Sequence, residues 1–350
     1  MNYQTEDDNK AILKIRELLK QLPPMCREVF LSMANTTTPK TRLGYAYDLK
    51  LFFNYLVTEN PKFEGRDVAS LNISDLENIK VLDINEYLDY LSYYIKEDKG
   101  SVTEVTNKEN GKSRKLASVR KLFNYFYKQE KLSGNPAEMV DSPKLRQKDI
   151  IRLEPNEVAG LLDNIEAGAK LTKGQQRFHG KTALRDLAIV TLLLGTGIRV
   201  SELVGIDIQD IDFDKNGLLV RRKGHKEMTV YFGEEVEEAL KNYLEIRKLA
   251  TTLPGSENAL FLSLQNKRIG VRSVENLVKK YALTVTSNTK ISPHKLRSTY
   301  GTQLYNETGD IYLVADVLGH NDVNTTRKHY AQQADSNRRM AARKVTLREK

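Results

Sequence analysis

The chain is 350 residues long, 40% hydrophobic, and carries a formal charge of +9 from 55 Lys and Arg against 46 Asp and Glu. That length and apolar content suffice for two domains that each bury a core, and the single cysteine, Cys26, excludes internal disulfides and multi-cysteine metal sites. Five scattered histidines contain no HExxH pair, and no apolar run reaches the roughly eighteen residues of a membrane span. The polar, acidic start MNYQTEDDNK is unlike a signal peptide, so a cytoplasmic location is expected. The positive surplus makes a polyanion a plausible partner without deciding the matter.

Apolar residues at helical spacing predict helices over residues 8–21 (DNKAILKIRELLKQ), 39–58 (PKTRLGYAYDLKLFFNYLVT), 83–97 (DINEYLDYLSYYIKE) and 112–131. The expectation for the first half is therefore all-helical. In the last of these helices Leu116, Val119, Leu122, Phe123 and Phe126 make one apolar face, while Lys112, Arg114, Lys115, Arg120, Lys121 and Lys128 crowd the same segment. Two readings stay open: an ordinary solvated face, or a helix laid against DNA whose short Ser113, Ala117 and Ser118 let the backbone approach.

The stretch SGNPAEMVDSPKLRQKDII has two prolines, a glycine and mixed charge, the composition of a linker. The boundary is placed over residues 141–150, separating a first domain (1–140) from a second (151–335), with a tail over 336–350. Beyond it a helix opens at Pro155, a polar stretch over 168–181 reads as an exposed loop, and an apolar helix runs over 182–194. Residues 206–232 alternate apolar and polar residues in short runs broken at 214–217 and 223–226, which predicts a small antiparallel sheet. Helical periodicity returns over 234–250, over 271–285 and through most of the chain after His294. The fold class is mainly α with a small antiparallel β-sheet.

Four segments of the second half carry side chains suited to chemistry. GTGIRVSELVGI places Arg199 just after a glycine break with Glu202 three residues on, on the same helical face, where the carboxylate can orient the guanidinium. RRKGHKEM puts Lys223 at a ribbon turn, where a lysine is commonly just a solvated charge. SPHKLRSTYGTQL spaces His294 and Arg297 as i and i+3, a pairing suited to an anion. DVLGHNDVNTTRKHYAQQ holds His320, then Asn324 as N-cap of a further helix, then Tyr330, one of 17 tyrosines.

Two arginines, two histidines, a lysine and a tyrosine, without paired carboxylates or a metal cluster, suit attack of an oxygen nucleophile on a phosphodiester. Arg199, Arg297 and His320 would stabilise charge gathering on the nonbridging oxygens. The Tyr330 phenol, with an ordinary pKa near 10, must lose a proton as it attacks; His294 is the nearest plausible acceptor, and Lys223 would protonate the departing sugar oxygen.

The motifs TGIRVSEL, a lysine in a KG-type ribbon turn, HKLR, LGH and a tyrosine after TT occur in the order found in the tyrosine recombinase (phage integrase) family, which residues 150–335 resemble. The basic helix before the linker resembles that family's core-binding domain. The resemblance implies a two-domain clamp around duplex DNA (a helical core-binding domain plus an α+β catalytic domain), four protomers on two sites, a 3'-phosphotyrosyl intermediate and no cofactor, metal or small-molecule substrate. Carried over by position, the catalytic residues are Arg199, Lys223, His294, Arg297, His320 and Tyr330 with Glu202 accessory, and Lys112, Arg114, Lys115, Arg120 and Lys121 are expected at the DNA. The tail after Tyr330 would pack onto a neighbouring protomer. Ser298 stands where a second histidine is common and the 168–181 stretch is longer than usual; that stretch and the overall length resemble the single-enzyme Xer subtype of Gram-positive bacteria. A type IB topoisomerase and a catalytically idle DNA-binding regulator are the competing readings.

Overall fold

Leu116, Val119, Leu122, Phe123 and Phe126, spaced to line one side of a helix, are all fully buried in the computed structural model, which describes residues 3–98, 100–144, 151–222, 226–286, 288, 290–319 and 322–323. The chain divides into two compact units, Met1–Lys148 and Asp149–Lys350. The architecture is mainly helical with small antiparallel sheets, as the periodicities imply. Among the described residues no helix is long and apolar enough to cross a membrane.

The first unit contains α1 (Tyr3–Leu19), α2 (Cys26–Ser32), α3 (Pro39–Glu59), α4 (Ile73–Glu77), α5 (Val81–Tyr90), β1 (Tyr94–Asp98), β2 (Ser101–Val105), α6 (Glu109–Lys128) and α7 (Pro136–Met139). Helix α3 starts where Pro39 presets the first turn and the Thr38 hydroxyl accepts from the Thr41 amide. It packs on α1 and α6, burying Phe52, Phe53 and Leu56 against Leu122, Phe123 and Phe126 in one core. Each such side chain contributes roughly 1.5–3 kcal/mol by leaving water, so this apolar seam outweighs any local preference along the helices.

The expectation of an all-helical first half is corrected by β1 and β2, an antiparallel hairpin with Tyr94 opposite Val105 and Asp98 opposite Ser101. Helix α5 stops at Tyr90 instead of reaching residue 97, because Asn107 caps it: its backbone N–H and its side-chain amide both donate to the Leu91 carbonyl, at 3.2 and 3.0 Å. Past that cap the β-branched residues of 101–105 pair back, and Gly100 takes the left-handed conformation (φ +80°) that the tight turn needs.

The second unit holds α8 (Pro155–Ala167), α9 (Lys173–Thr196), α10 (Val200–Leu203), β3 (Ile211–Asp212), β4 (Gly217–Arg221), β5 (Glu227–Tyr231), α11 (Glu234–Lys248), α12 (Val271–Ala282), α13 (Pro293–Thr308) and α14 (Ile311–Leu318). Ala188, Ile189, Val190, Leu192 and Leu193 are buried on every side of α9, which α8, α11, α12 and α13 surround. The stretch over 168–181 is not an open loop: α9 begins at Lys173. Its polar first turns cannot be held by burial and are held by polar ties, a reciprocal cap between Thr172 and Gln175 and a 2.7 Å contact between the His179 ring Nε2 and the Ile165 carbonyl. The sheet has the order β3-β4-β5, with Leu218 opposite Val230 and Arg221 opposite Glu227.

Candidate active site

Three breaks in helical structure bring distant side chains together. Helix α9 ends at Gly197, whose φ of +63° turns the chain sharply; a Cβ there would collide with the Tyr300 ring and lie 2.9 Å from Leu318. Two residues on, Arg199 caps α10. Its backbone N–H donates to Glu202 Oε2 and its Nη1 to Glu202 Oε1, both at 2.8 Å, so a buried carboxylate fixes a guanidinium that is itself half exposed. Only the carboxylate half of a capping box is present here, because a guanidinium cannot accept; the Arg199–Glu202 ion pair stands in for the other half.

Helix α13 starts at Pro293 and carries His294 and Arg297 in its first turn and a half. His294 is exposed, whereas Arg297 is only 4% exposed. Arg297 Nη1 donates to the Gly197 carbonyl at 2.5 Å and Nη2 to the Leu318 carbonyl. A guanidinium buried this deeply requires such acceptors, and backbone carbonyls supply them without neutralising its charge. Two residues later the buried Thr299 hydroxyl accepts from the Leu153 amide at 3.0 Å and so anchors α13 to the segment that leads into α8.

Helix α14 is capped at its start by Asp310, which accepts from the Tyr312 and Leu313 amides, and at its end by Gly319 at φ +62°. Its last carbonyls are the meeting point of the site. Arg199 Nη2 reaches the Gly319 carbonyl at 3.3 Å, Arg297 the Leu318 carbonyl, and Arg222 Nη2 the Val317 carbonyl at 3.0 Å. Cations gathered at a helix C-terminus face the negative end of its dipole, which offsets part of their mutual repulsion.

The structure thus brings Arg199, Glu202 and Arg297 together, with His294 at the exposed start of the helix that carries Arg297. Lys223, His320 and Tyr330 lie outside the described residues, as do the Asn324 cap and the 336–350 tail. Arg222 was not singled out from the sequence: in the run Arg221-Arg222-Lys223 it reads as one more hairpin charge, and its partners are backbone carbonyls that leave no mark in a sequence. Burial lowers its pKa from the ordinary arginine value, with Glu202 opposing that shift and Arg199 adding to it.

In the first unit the five basic residues expected at DNA differ in their surroundings. Lys112 Nζ donates to Ser92 Oγ at 2.5 Å. Arg114, half exposed, forks onto the buried Asp48 carboxylate, Nη2 to Oδ1 at 2.6 Å, and the Ser118 hydroxyl donates to the same carboxylate. Lys115 is buried, its ammonium donating to Asn107 Oδ1 at 2.7 Å, and desolvation lowers its pKa. Arg120 donates to the Ala137 carbonyl, the Val140 carbonyl and Ser142 Oγ, at 3.1, 2.5 and 2.8 Å, while Lys121 is exposed.

Among the described residues no three His, Cys, Asp or Glu side chains are grouped to hold a metal ion. A 590 Å³ cleft lined by Gln175, Arg185, Leu264 and Lys280 contains none of the candidate residues.

Residues 152–337 match the phage integrase family. The tyrosine recombinase XerC of Caldanaerobacter subterraneus subsp. tengcongensis is 35% identical over 346 residues, covering 96% of this chain and 90% of its own. That of Thermodesulfovibrio yellowstonii is 34% identical over 290 residues, 82% and 84% of the two chains. Among solved structures, the XerH site-specific recombinase bound to a palindromic difH substrate in a post-cleavage complex aligns with a TM-score of 0.64 at 18% identity, over 96% of this chain and 89% of that one. A lambda integrase dimer bound to a core site aligns with a TM-score of 0.60 at 15% identity, over 87% and 93%. At these identities the structural likeness speaks for the fold alone.

Proposed function

This chain belongs to the phage integrase family and is a site-specific tyrosine recombinase, and from that premise we propose how its residues do the work. Tyr330 attacks a phosphodiester of duplex DNA, forming a 3'-phosphotyrosyl bond and freeing a 5'-hydroxyl; attack by a 5'-hydroxyl of the second duplex then releases the tyrosine. One phosphate ester is exchanged for another at each step, so no nucleotide or other energy source is consumed. His294 accepts the phenol proton and Lys223 donates to the departing oxygen.

The observation that carries this reading is that Arg199 and Arg297, from separate helices, meet on the Leu318-Gly319 carbonyls, next in sequence to His320. Both are fixed before substrate arrives, Arg199 by Glu202 and Arg297 by Gly197. Donors held in place stabilise the charge that builds on the nonbridging oxygens without the reorganisation that water would need.

On the duplex the first unit serves as a core-binding domain and the second as the catalytic one, and four protomers act on two sites in the cytoplasm. Of the five basic residues expected at DNA, Arg114 and Lys121 are the ones a phosphate meets first, because they are exposed where Lys112, Lys115 and Arg120 are wholly or partly buried.

A nicked duplex carrying the target site tests the reaction. The expected result is a covalent protein–DNA adduct that is lost in Tyr330→Phe, together with strand exchange between two sites. An adduct without exchange would instead indicate a relaxing topoisomerase, and tight binding without an adduct a regulator.

A further inference from the structure

We propose that Arg222 is a positioning residue of the recombination site, one that lays its guanidinium over Gly319 and holds the last carbonyls of α14 where Arg199 and Arg297 use them. The inference rests on the recombinase reading and extends it to a residue outside the motif set.

Four observations carry it. A Cβ placed on Gly319 would overlap the Arg222 guanidinium, so the group lies directly against the bare backbone at the end of α14. Its Nη2 donates to the Val317 carbonyl at 3.0 Å, and the next two carbonyls accept from Arg297 and Arg199. Arg222 therefore holds the same turn from a third direction, from the end of β4, by a contact that only a planar fork over a glycine permits. Its backbone N–H donates to the Lys226 carbonyl at 2.7 Å, so its main chain belongs to the β4–β5 ribbon. Through this side chain the β4–β5 ribbon, next in sequence to Lys223, is tied to the Val317–Gly319 turn, next in sequence to His320.

Charge supplies the second half of the argument. Arg199, Arg222 and Arg297, set against the buried Glu202 and the exposed Asp316 carboxylates, leave a net positive charge around the end of α14. Attack of a phenolate on a phosphodiester monoanion passes through a state bearing about two negative charges. Arg222 thus raises the local potential while its Nη2 stays on the Val317 carbonyl, and it acts through Arg199, Arg297 and the turn they share.

The test uses the full-length protein on the nicked duplex, with wild type and Tyr330→Phe run in parallel. Arg222→Ala is expected to slow adduct formation about 10- to 100-fold at saturating protein while DNA affinity stays within about threefold. Arg222→Lys, which restores charge but not the flat contact, is expected to recover part of that rate. Gly319→Ala should slow cleavage in the wild-type background and cost less in Arg222→Ala, because the overlapping group has gone.

An Arg222→Ala protein that cleaves like wild type overturns the proposal. So does a fall in affinity, melting temperature and rate together with no recovery by lysine, which marks a scaffold residue, and so do equal Gly319→Ala penalties in both backgrounds. If wild type itself forms no Tyr330-dependent adduct, the recombinase mechanism falls and the role of Arg222 with it.

Discussion

Glu202 holds Arg199 at two points, accepting from its backbone N–H and from its guanidinium at 2.8 Å each. The same carboxylate therefore starts helix α10 and aims the arginine that caps it. Glu202→Gln keeps the size and one acceptor but removes the charge that aligns the fork. Adduct formation at saturating protein is expected to slow by about 10-fold, with DNA affinity little changed, since an aiming residue acts mainly in the transition state. Single-turnover cleavage beside a binding titration checks this, and a parallel loss of both would show that Glu202 serves only the fold.

Arg297 offers a sharper separation of charge from shape. Its buried fork bonds the Gly197 and Leu318 carbonyls, which a lysine ammonium cannot reach together in the same plane. Arg297→Lys is expected to cut cleavage by about 100-fold despite the retained charge. It should also cost the second unit about 1–3 kcal/mol, because a buried carbonyl loses its donor. Chemical denaturation and the adduct assay together decide it; a lysine variant that is both stable and active would mean that charge alone suffices.

The residues of this cluster were legible unequally. Arg199 and Glu202 stand out because a glycine break and an i, i+3 spacing put charged groups in an otherwise apolar segment, and Arg297 because the same spacing sets it beside His294; the structure pairs the first two as that spacing implies. The buried face of α6 was equally plain from its period. The β1–β2 hairpin was not, because its residues are mostly exposed and no apolar stripe announces a strand. The start of α9 was missed for a related reason: residues 173–181 are polar, and a cap at Thr172 together with the His179–Ile165 contact holds them helical. Arg222 was hidden more deeply, since its partner, the Val317 carbonyl, lies far along the chain and any residue there would present the same atom.

Helix α6 sets two arginine–lysine neighbours apart. Arg120 spends its donors on the Ala137 and Val140 carbonyls and on Ser142, tying the 137–142 segment to the helix, whereas Lys121 is exposed. Arg120→Ala is therefore expected to cost about 1–3 kcal/mol of stability. Lys121→Ala should leave stability within about 0.5 kcal/mol, weaken DNA binding at all sequences alike, and lower the salt slope of binding by about one. Binding isotherms across a salt series give the slope directly. An unchanged slope for Lys121→Ala removes α6 from the phosphate contacts at that position.

Acid should loosen the first unit through Asp83. Burial alone would push its pKa up, but the Lys62 ammonium at 2.6 Å, the Lys80 amide at 2.7 Å and the Asn60 amide at 2.9 Å outweigh it and hold the carboxyl below the usual carboxylate range. A carboxyl with a lowered folded pKa binds fewer protons folded than unfolded. Its contribution is whole above the unfolded value near pH 4 and is lost as pH falls through the folded one. Because Lys62 is about half exposed, most of the effect resides in the buried hydrogen bonds and not in the ion pair. Asp83→Asn is expected to cost about 1–2 kcal/mol at pH 7, and the gap to wild type should close as pH falls from 5 toward 3. The chain has no tryptophan, so urea unfolding followed by far-ultraviolet circular dichroism is the suitable measurement. A gap that stays constant over that range would mean that the Asp83 carboxyl is not held ionised by these partners.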